Sequence, residues 1–289
     1  MFYSPLRYPG GKNRLSKFIA KICIDNQIRE HYIEPYAGGA SVALFLLLED
    51  IVKKITINDR DRSIYAFWYS VLNYPNELSK LIEDTDISIE NWKKQREVQR
   101  NKKRANLLEL GFSTLFLNRT NFSGIINGGV IGGLEQKGKY KMNCRFNKKE
   151  IISRIARISE RKEDIRLYKK DALKLVDKIE KEAIAGNTIF YFDPPYYSKG
   201  SSLYMHYYEE KDHELVSSKI ETIKDFHWIV SYDNVPEIER LYYGFRKKEY
   251  FFNHTAHKSK KDNEILFFCD KLNIPEGDWN PLDFNKSYK

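Results

Sequence analysis

Thr188-Ile189-Phe190-Tyr191-Phe192-Asp193-Pro194-Pro195-Tyr196 is the stretch whose reading decides the fold. The apolar run Ile189-Phe190-Tyr191-Phe192 predicts a strand buried on both faces, as in a parallel sheet covered by helices. It stops abruptly at Asp193. Pro194 and Pro195 donate no backbone hydrogen bonds, so they hold the chain rigid with their carbonyls free to accept. A carboxylate, an acceptor carbonyl and an aromatic ring then stand together at a strand end. That set suits the exocyclic amine of a nucleobase, which needs two acceptors for its N–H groups and a ring to stack on.

Toward the N-terminus the same strand-then-turn pattern recurs. Residues 31–36 predict a short strand that stops at Ala37-Gly38-Gly39, and residues 41–49 a helix with Ser41 near its start. Residues 53–58, with β-branched Ile55, Thr56 and Ile57, predict a strand ending at Asp59. Residues 61–72 predict a helix carrying Tyr65, Phe67, Trp68 and Tyr69. Toward the C-terminus, residues 148–161 predict a helix and residues 165–168 a strand ending at Asp171. Residues 227–231 predict a strand ending at Tyr232-Asp233-Asn234, and residues 245–252 and 264–269 a closing antiparallel pair. The class is α/β, a parallel sheet with helices on its faces. Residues after 273 are expected to be irregular.

Between the two halves the rhythm breaks. Residues 75–117 predict helix and hold a basic run in which Lys93, Lys94, Arg96, Arg100, Lys102, Lys103 and Arg104 face one acid, Glu97. Residues 121–146 are glycine-rich and predict a loop or hairpin. They end in Lys137, Lys139, Lys141 and Arg145 with no acid between them.

In open α/β sheets ligands bind outside the carboxyl ends of the strands. Glu34-Pro35-Tyr36-Ala37-Gly38-Gly39 ends one such strand, and its glycines allow close approach of a ligand. Asp59 follows 20 residues after Gly39, where a carboxylate suits the paired hydroxyls of a ribose. Two adjacent glycines rather than three spaced ones disfavour a pyrophosphate. Tyr8-Pro9-Gly10-Gly11-Lys12 lacks the first glycine of a phosphate loop, has Asn13 where Ser or Thr belongs, and follows no strand; an NTPase is rejected.

The 289 residues carry 49 Lys and Arg against 40 Asp and Glu, a net charge of +9, and 14% aromatics. A basic, aromatic-rich chain favours an anionic partner, nucleic acid first. No stretch approaches the roughly 20 apolar residues of a membrane span, and no signal-peptide apolar region opens the chain. Cys23, Cys144 and Cys269 lie far apart, which rules out a disulfide framework and a cysteine zinc cluster. The expected setting is cytoplasmic and reduced. His206 with His213, and His254 with His257, lack partners at zinc spacing, so no metal site is expected. Glu209-Glu210-Lys211 matches a nuclease-like triplet too short to carry weight.

With these motifs in this order, residues 7–268 resemble the Dam-type family of DNA adenine N6-methyltransferases. The carrying residues are Tyr8-Pro9-Gly10-Gly11-Lys12, Glu34 to Gly39, Asn58-Asp59, Asp171, the Asp193 to Tyr196 tetrad and Asp262-Asn263-Glu264-Ile265-Leu266. Ala40 departs from the pattern, since many relatives carry a further glycine there. The resemblance implies a Rossmann-like methyltransferase sheet with helices on both faces and an inserted, mostly helical DNA-recognition subdomain carrying a β-hairpin. Residues 1–61 and 162–272 would form the catalytic domain, 62–161 the insertion and 273–289 the tail.

The cofactor implied is S-adenosylmethionine, leaving as S-adenosylhomocysteine, with no metal. Tyr8, Gly10, Gly11 and Lys12 would meet its methionine end, and Pro35, Tyr36, Gly38 and Gly39 its methionine and ribose. Asp59 would take the ribose hydroxyls, while Asp171 and Ala172 would lie by its adenine. Asp193, Pro194, Pro195 and Tyr196 would receive the target adenine, Asp193 also lining the cofactor. Arg119, Asn121, Lys137, Lys139, Lys141 and Arg145 would meet double-stranded DNA. A cognate restriction endonuclease acting separately is the partner such enzymes can have. Methylation of RNA or of cytosine N4, or a non-catalytic DNA-binding regulator, are the alternatives; the intact tetrad speaks against the last.

Overall fold

Short runs rich in Ile, Phe, Tyr and Val line up as five parallel strands: β1 (His31–Glu34), β2 (Lys54–Asn58), β3 (Ile165–Tyr168), β4 (Thr188–Phe192) and β5 (His227–Asp233). The structure, a computed structural model, describes residues 3–7, 12–198, 208–252, 262–277 and 280–284. Two further strands, β6 (Arg246–Phe252) and β7 (Asp262–Phe268), join antiparallel, β7 against β5 and β6 against β7. The sheet order is β3-β2-β1-β4-β5-β7-β6. Every residue of β1, β4 and β5 is buried, as expected for strands covered on both faces. The chain winds outward from β1 in one direction and from β4 in the other. Their carboxyl ends are therefore neighbours at the topological switch point, where open α/β sheets bind ligands.

Helices α1 (Ser16–Asp25) and α2 (Ser41–Leu48) precede the long excursion between β2 and β3, which opens with α3 (Arg62–Asn73). It continues through α4 (Pro75–Asp84), α5 (Ile89–Arg100), α6 (Leu107–Thr120) and α7 (Lys148–Ser159). Helices α8 (Ala172–Glu182), α9 (Glu210–Thr222) and α10 (Pro236–Leu241) follow β3, β4 and β5. Side-chain caps start five of them: Asp61, Ser88, Asn106, Asn147 and Asp171 each accept from backbone N–H groups of the first turn. The excursion packs into the buried cluster that also holds the strands, through Phe67, Phe116, Ile151 and Ile155. Gly111 lets α6 lie directly on α3: a Cβ there would stand 2.7 Å from the Ala66 carbonyl oxygen. Gln99 then ties three helices, accepting from the Ser63 hydroxyl and donating to Ser113 and Thr114.

Two expectations need correction. The hairpin is not formed among the described residues; Asn121 and Val130 make one isolated bridge. Left-handed φ values at Gly132, Gly133 and Gln136 turn the chain too often for paired strands. The Gln136 side chain replaces a ladder by donating to the carbonyls of Ile131 and Gly133 and accepting from the Met142 N–H. The tail is less irregular than expected. Residues Pro281–Asp283 form a 3-10 turn, and Leu282 and Phe284 are buried, Phe284 edge-on to Phe18.

Candidate active site

Of the expected site residues, Pro35, Tyr36, Gly38, Gly39, Asp59, Asp171 and the Asp193 to Tyr196 tetrad follow the carboxyl ends of parallel strands. Asn58, at the end of β2, fastens three of these ends. Its Nδ2 donates to the carbonyls of Pro35 and Lys170, and its Oδ1 accepts from the Lys170 N–H at 2.8 Å. The turn after β1 is left-handed at Gly38 and again at Ala40, with φ of 46° and 47°. Ala40 thus occupies a conformation that favours glycine, just ahead of α2. Trp68 Nε1 donates to the Gly38 carbonyl at 2.9 Å, which fixes the turn from the α3 side.

Asp59 closes the turn. Its Oδ2 accepts from Gly38 N–H at 3.0 Å and its Oδ1 from Asp61 N–H at 2.9 Å. Burial, with the neighbouring Asp61 charge, pushes its carboxyl up to about 7. Glu34 is 4% exposed and accepts from Ala43 N–H and the Tyr32 hydroxyl. Burial, and the charge of Asp193, lift it to about 8 against those hydrogen bonds. Asp193, at the end of β4, is raised by burial to about 6. Glu34, Asp59 and Asp193 thus stand at or just past the carboxyl ends of β1, β2 and β4, each with its carboxyl raised by burial.

The tetrad is anchored from two sides. Asp233, at the end of β5, accepts from the N–H groups of Tyr197 and Ser198, each at 2.9 Å, and from the Ser198 hydroxyl. Lys12 reaches it from the N-terminal segment: its Nζ lies 3.2 Å from Asp193 Oδ1, 2.5 Å from Glu264 Oε2 and 2.9 Å from the Tyr196 hydroxyl. Burial opposes charge on Lys12, but Asp193 and Glu264 outweigh it and hold the ammonium firmly protonated. Tyr196 is only 7% exposed and its hydroxyl turns inward to Lys12 and Glu264. Nearby, an aromatic wall that sequence reasoning missed runs from Tyr36 through Tyr208 and His213 to Tyr232. Tyr208 donates to the Tyr36 hydroxyl at 3.1 Å. Only tertiary folding reveals it, because its members come from three separate segments.

Not every expected residue arrives with a free side chain. Tyr8, Gly10 and Gly11, like His206, His254 and His257, lie outside the described residues. Asp171 caps α8, accepting from Leu173 and Lys174 N–H, with Ala172 buried as the first helical residue. Pro35 and Pro194 are buried, Pro195 partly so. Asn121 is fully buried; its amide donates to the Ile125 and Ile126 carbonyls and accepts from Trp92 Nε1. Arg119 donates to the carbonyls of Pro5 and Arg145, and burial brings its guanidinium down to about 10. These two side chains tie the loop to the body of the protein. Lys137, Lys139, Lys141 and Arg145 are exposed. Lys137 pairs with Glu135, and Lys141 donates to the Gln136 carbonyl. No described helix is long and apolar enough to cross a membrane.

Comparison with known proteins agrees with this geometry. A family model described as D12 class N6 adenine-specific DNA methyltransferase matches residues 8–263. A Type II methyltransferase, M.MjaIII of Methanocaldococcus jannaschii, is 24% identical over 209 residues, which cover 66% of this chain and 68% of that protein. A match running from the N-terminal motif through all the parallel strands to β7 leaves one conclusion: the chain belongs to the D12 class of N6 adenine-specific DNA methyltransferases.

Proposed function

We propose that this chain methylates N6 of an adenine turned out of duplex DNA at a specific sequence, with S-adenosylmethionine as donor and the Asp193 to Tyr196 tetrad as the receiving site. The observation that carries this is the placement of Asp193 at the end of β4, beside Glu34 at the switch point. S-adenosylmethionine, when bound, supplies an electrophilic methyl on a sulfonium. Asp193, with its carboxyl at about 6, is the group at this strand end that suits that cation. The Asp59 carboxylate, held by two backbone N–H groups, keeps lone pairs for the ribose hydroxyls. Gly38 and Gly39 add no side chain where the ligand approaches. The aromatic wall offers apolar faces to the rest of it.

Adenine N6 is a poor nucleophile because its lone pair is conjugated into the ring. Asp193 accepts one N–H of the amine and the Pro194 carbonyl the other, which shifts the lone pair toward the methyl group. The proton released from the methylated nitrogen passes to Asp193, whose carboxyl sits at about 6. Positioning and fixed polar groups supply most of the acceleration. Lys137, Lys139, Lys141 and Arg145 attract the phosphate backbone. The kinship with a Type II methyltransferase supports a role beside a separately acting endonuclease that cuts the same unmethylated site.

Asp193→Ala tests the reading. Transfer of a labelled methyl group to DNA should fall at least the roughly 10²-fold typical of removing one preorganised polar group, with cofactor affinity nearly intact. Methylation at close to the parent rate would overturn the assignment.

A further inference from the structure

Glu264 is the last polar residue of β7 before the apolar run Ile265-Leu266-Phe267-Phe268. Yet it is 3% exposed and satisfied on both oxygens. Oε1 accepts from the Tyr196 hydroxyl; Oε2 accepts from the Tyr250 hydroxyl and from Lys12 Nζ at 2.5 Å. Tyr250, of β6, is itself fully buried and shares a hydrogen bond with Ser231 of β5. Lys12 lies 5.1 Å from the Tyr196 ring centroid and 5.8 Å from that of Tyr250.

Burying charges on this scale is costly, and an apolar cluster of equal volume would stabilise the fold as well or better. The arrangement makes sense by what it touches. Besides the Tyr250 bond to Ser231, its outward contacts, Lys12 to Asp193 and to Tyr196 and Glu264 to Tyr196, end on the tetrad.

We propose that Glu264 is a positioning residue for methyl transfer: it holds the Lys12 ammonium and the Tyr196 hydroxyl in place, and through them fixes the Asp193 carboxylate and the Tyr196 ring for the target amine. The inference rests on the adenine-methylation reading above. Glu264 touches neither the amine nor the donor; it acts through Lys12 and Tyr196. The antiparallel strand pair that closes the sheet thereby becomes part of the catalytic apparatus.

The same network sets where Asp193 titrates. Asp193 is faced by Lys12, by Glu34 of β1, by Glu264 of β7, by the Ser231 hydroxyl, and by the phenols of Tyr191, Tyr196, Tyr232 and Tyr250. Lys12 favours the ionised carboxylate and Glu264 opposes it. Removing the Glu264 charge leaves Lys12 less balanced, so Asp193 ionises at lower pH.

The test is steady-state transfer of a labelled methyl group to DNA from about pH 5 to 9, by the full chain and by Glu264→Gln, which keeps the shape and removes the charge. The expected result is a fall in kcat on the order of 10²-fold, the cost of a small misplacement of reacting groups. Cofactor Kd should stay within about twofold, and the acid limb of the pH profile should move to lower pH. Tyr196→Phe removes only the hydroxyl and keeps the ring. It should lower kcat comparably, and the double variant should be no worse than the poorer single one, because both break one unit. Parent-like kcat with an unmoved acid limb in Glu264→Gln overturns the proposal. If Glu264→Gln fails to fold by circular dichroism, a folded Tyr196→Phe with parent-like kcat overturns it instead. Failure of the unaltered chain to methylate adenine in the same assay would sink the function itself, a separate outcome.

Discussion

Asn118 brackets a single residue of the N-terminal segment: its Oδ1 accepts the Arg7 N–H at 2.7 Å and its Nδ2 donates to the Arg7 carbonyl at 2.6 Å. The same Nδ2 donates to the Gly124 carbonyl at 2.8 Å. The fit is close, since a Cβ on Gly124 would stand 2.4 Å from the Arg7 oxygen. The segment leading to Lys12 is thus clamped to the end of α6, where the basic loop begins. Asn118→Ala should cost on the order of 1–3 kcal/mol, the penalty of leaving buried backbone groups unpaired. It should also raise KM for DNA more than Kd for the cofactor. Thermal melting and paired binding titrations check this; an unchanged melting point would count against the clamp.

Asp59→Ala should weaken S-adenosylmethionine by roughly 1.5–3 kcal/mol, the range for hydrogen bonds to a charged group, with DNA affinity far less affected. Calorimetry on the free protein measures it. Undiminished cofactor affinity would reduce Asp59 to a residue that only orders the turn through Gly38 and Asp61.

Glu34→Gln gives a pH-dependent outcome. The Glu34 carboxyl titrates near 4.5 when unperturbed and at about 8 in the fold. Between those values the folded chain holds a proton that the unfolded chain has released. Its contribution to stability is complete below the lower value and is lost as pH rises through the upper one. A glutamine Oε1 can still accept from Ala43 and Tyr32 but cannot ionise. The variant should therefore gain on the parent in melting temperature between about pH 5 and 9. An equal difference at both ends would disprove the assignment.

Asn121→Ala and Arg145→Ala should part ways. The first removes a buried amide that holds three partners, and should lower stability on the order of 1–3 kcal/mol without changing the salt slope of DNA binding. The second alters an exposed side chain, so stability should move by no more than about 0.5 kcal/mol. DNA binding should weaken and its salt slope fall by about one unit if the contact is to phosphate. Melting curves and binding at several salt concentrations separate the two. A lowered salt slope in Asn121→Ala would return that residue to the interface.

The parallel strands were the most legible part of the sequence, for a physical reason. β4 runs from Thr188 to Phe192, as its apolar run and the proline pair beyond it require. β5 goes two residues past the expected stop, because Tyr232 and Asp233 continue the pairing with β7. The glycine-rich loop misled in the opposite direction. Glycines that looked like hairpin turns take left-handed conformations too close together for strands to pair. Polar residues were read best where the backbone fixes them and worst where burial decides. Asp59 and Asp193 sit at strand ends, so their place follows from topology. Asn121 and Arg119 looked like hydrogen-bonding groups for a duplex, and they are such groups, but their partners are internal carbonyls. Glu264 was visible only as a member of a strand, since its meaning depends on a lysine 252 positions earlier.

That separation has a temporal consequence. Lys12 and Glu264 come from opposite ends of the polypeptide, so the buried centre cannot close until β7 has left the ribosome and inserted between β5 and β6. A nascent chain can carry the Gly38 turn, Asp59 and the whole Asp193 to Tyr196 tetrad while its ammonium still lacks one of its two carboxylates. Long-range closure of this kind is a late event in folding. Synthesis interrupted ahead of β7 would leave a fragment that carries the methyltransferase motifs but not the Glu264 carboxylate that Lys12 and Tyr196 bond.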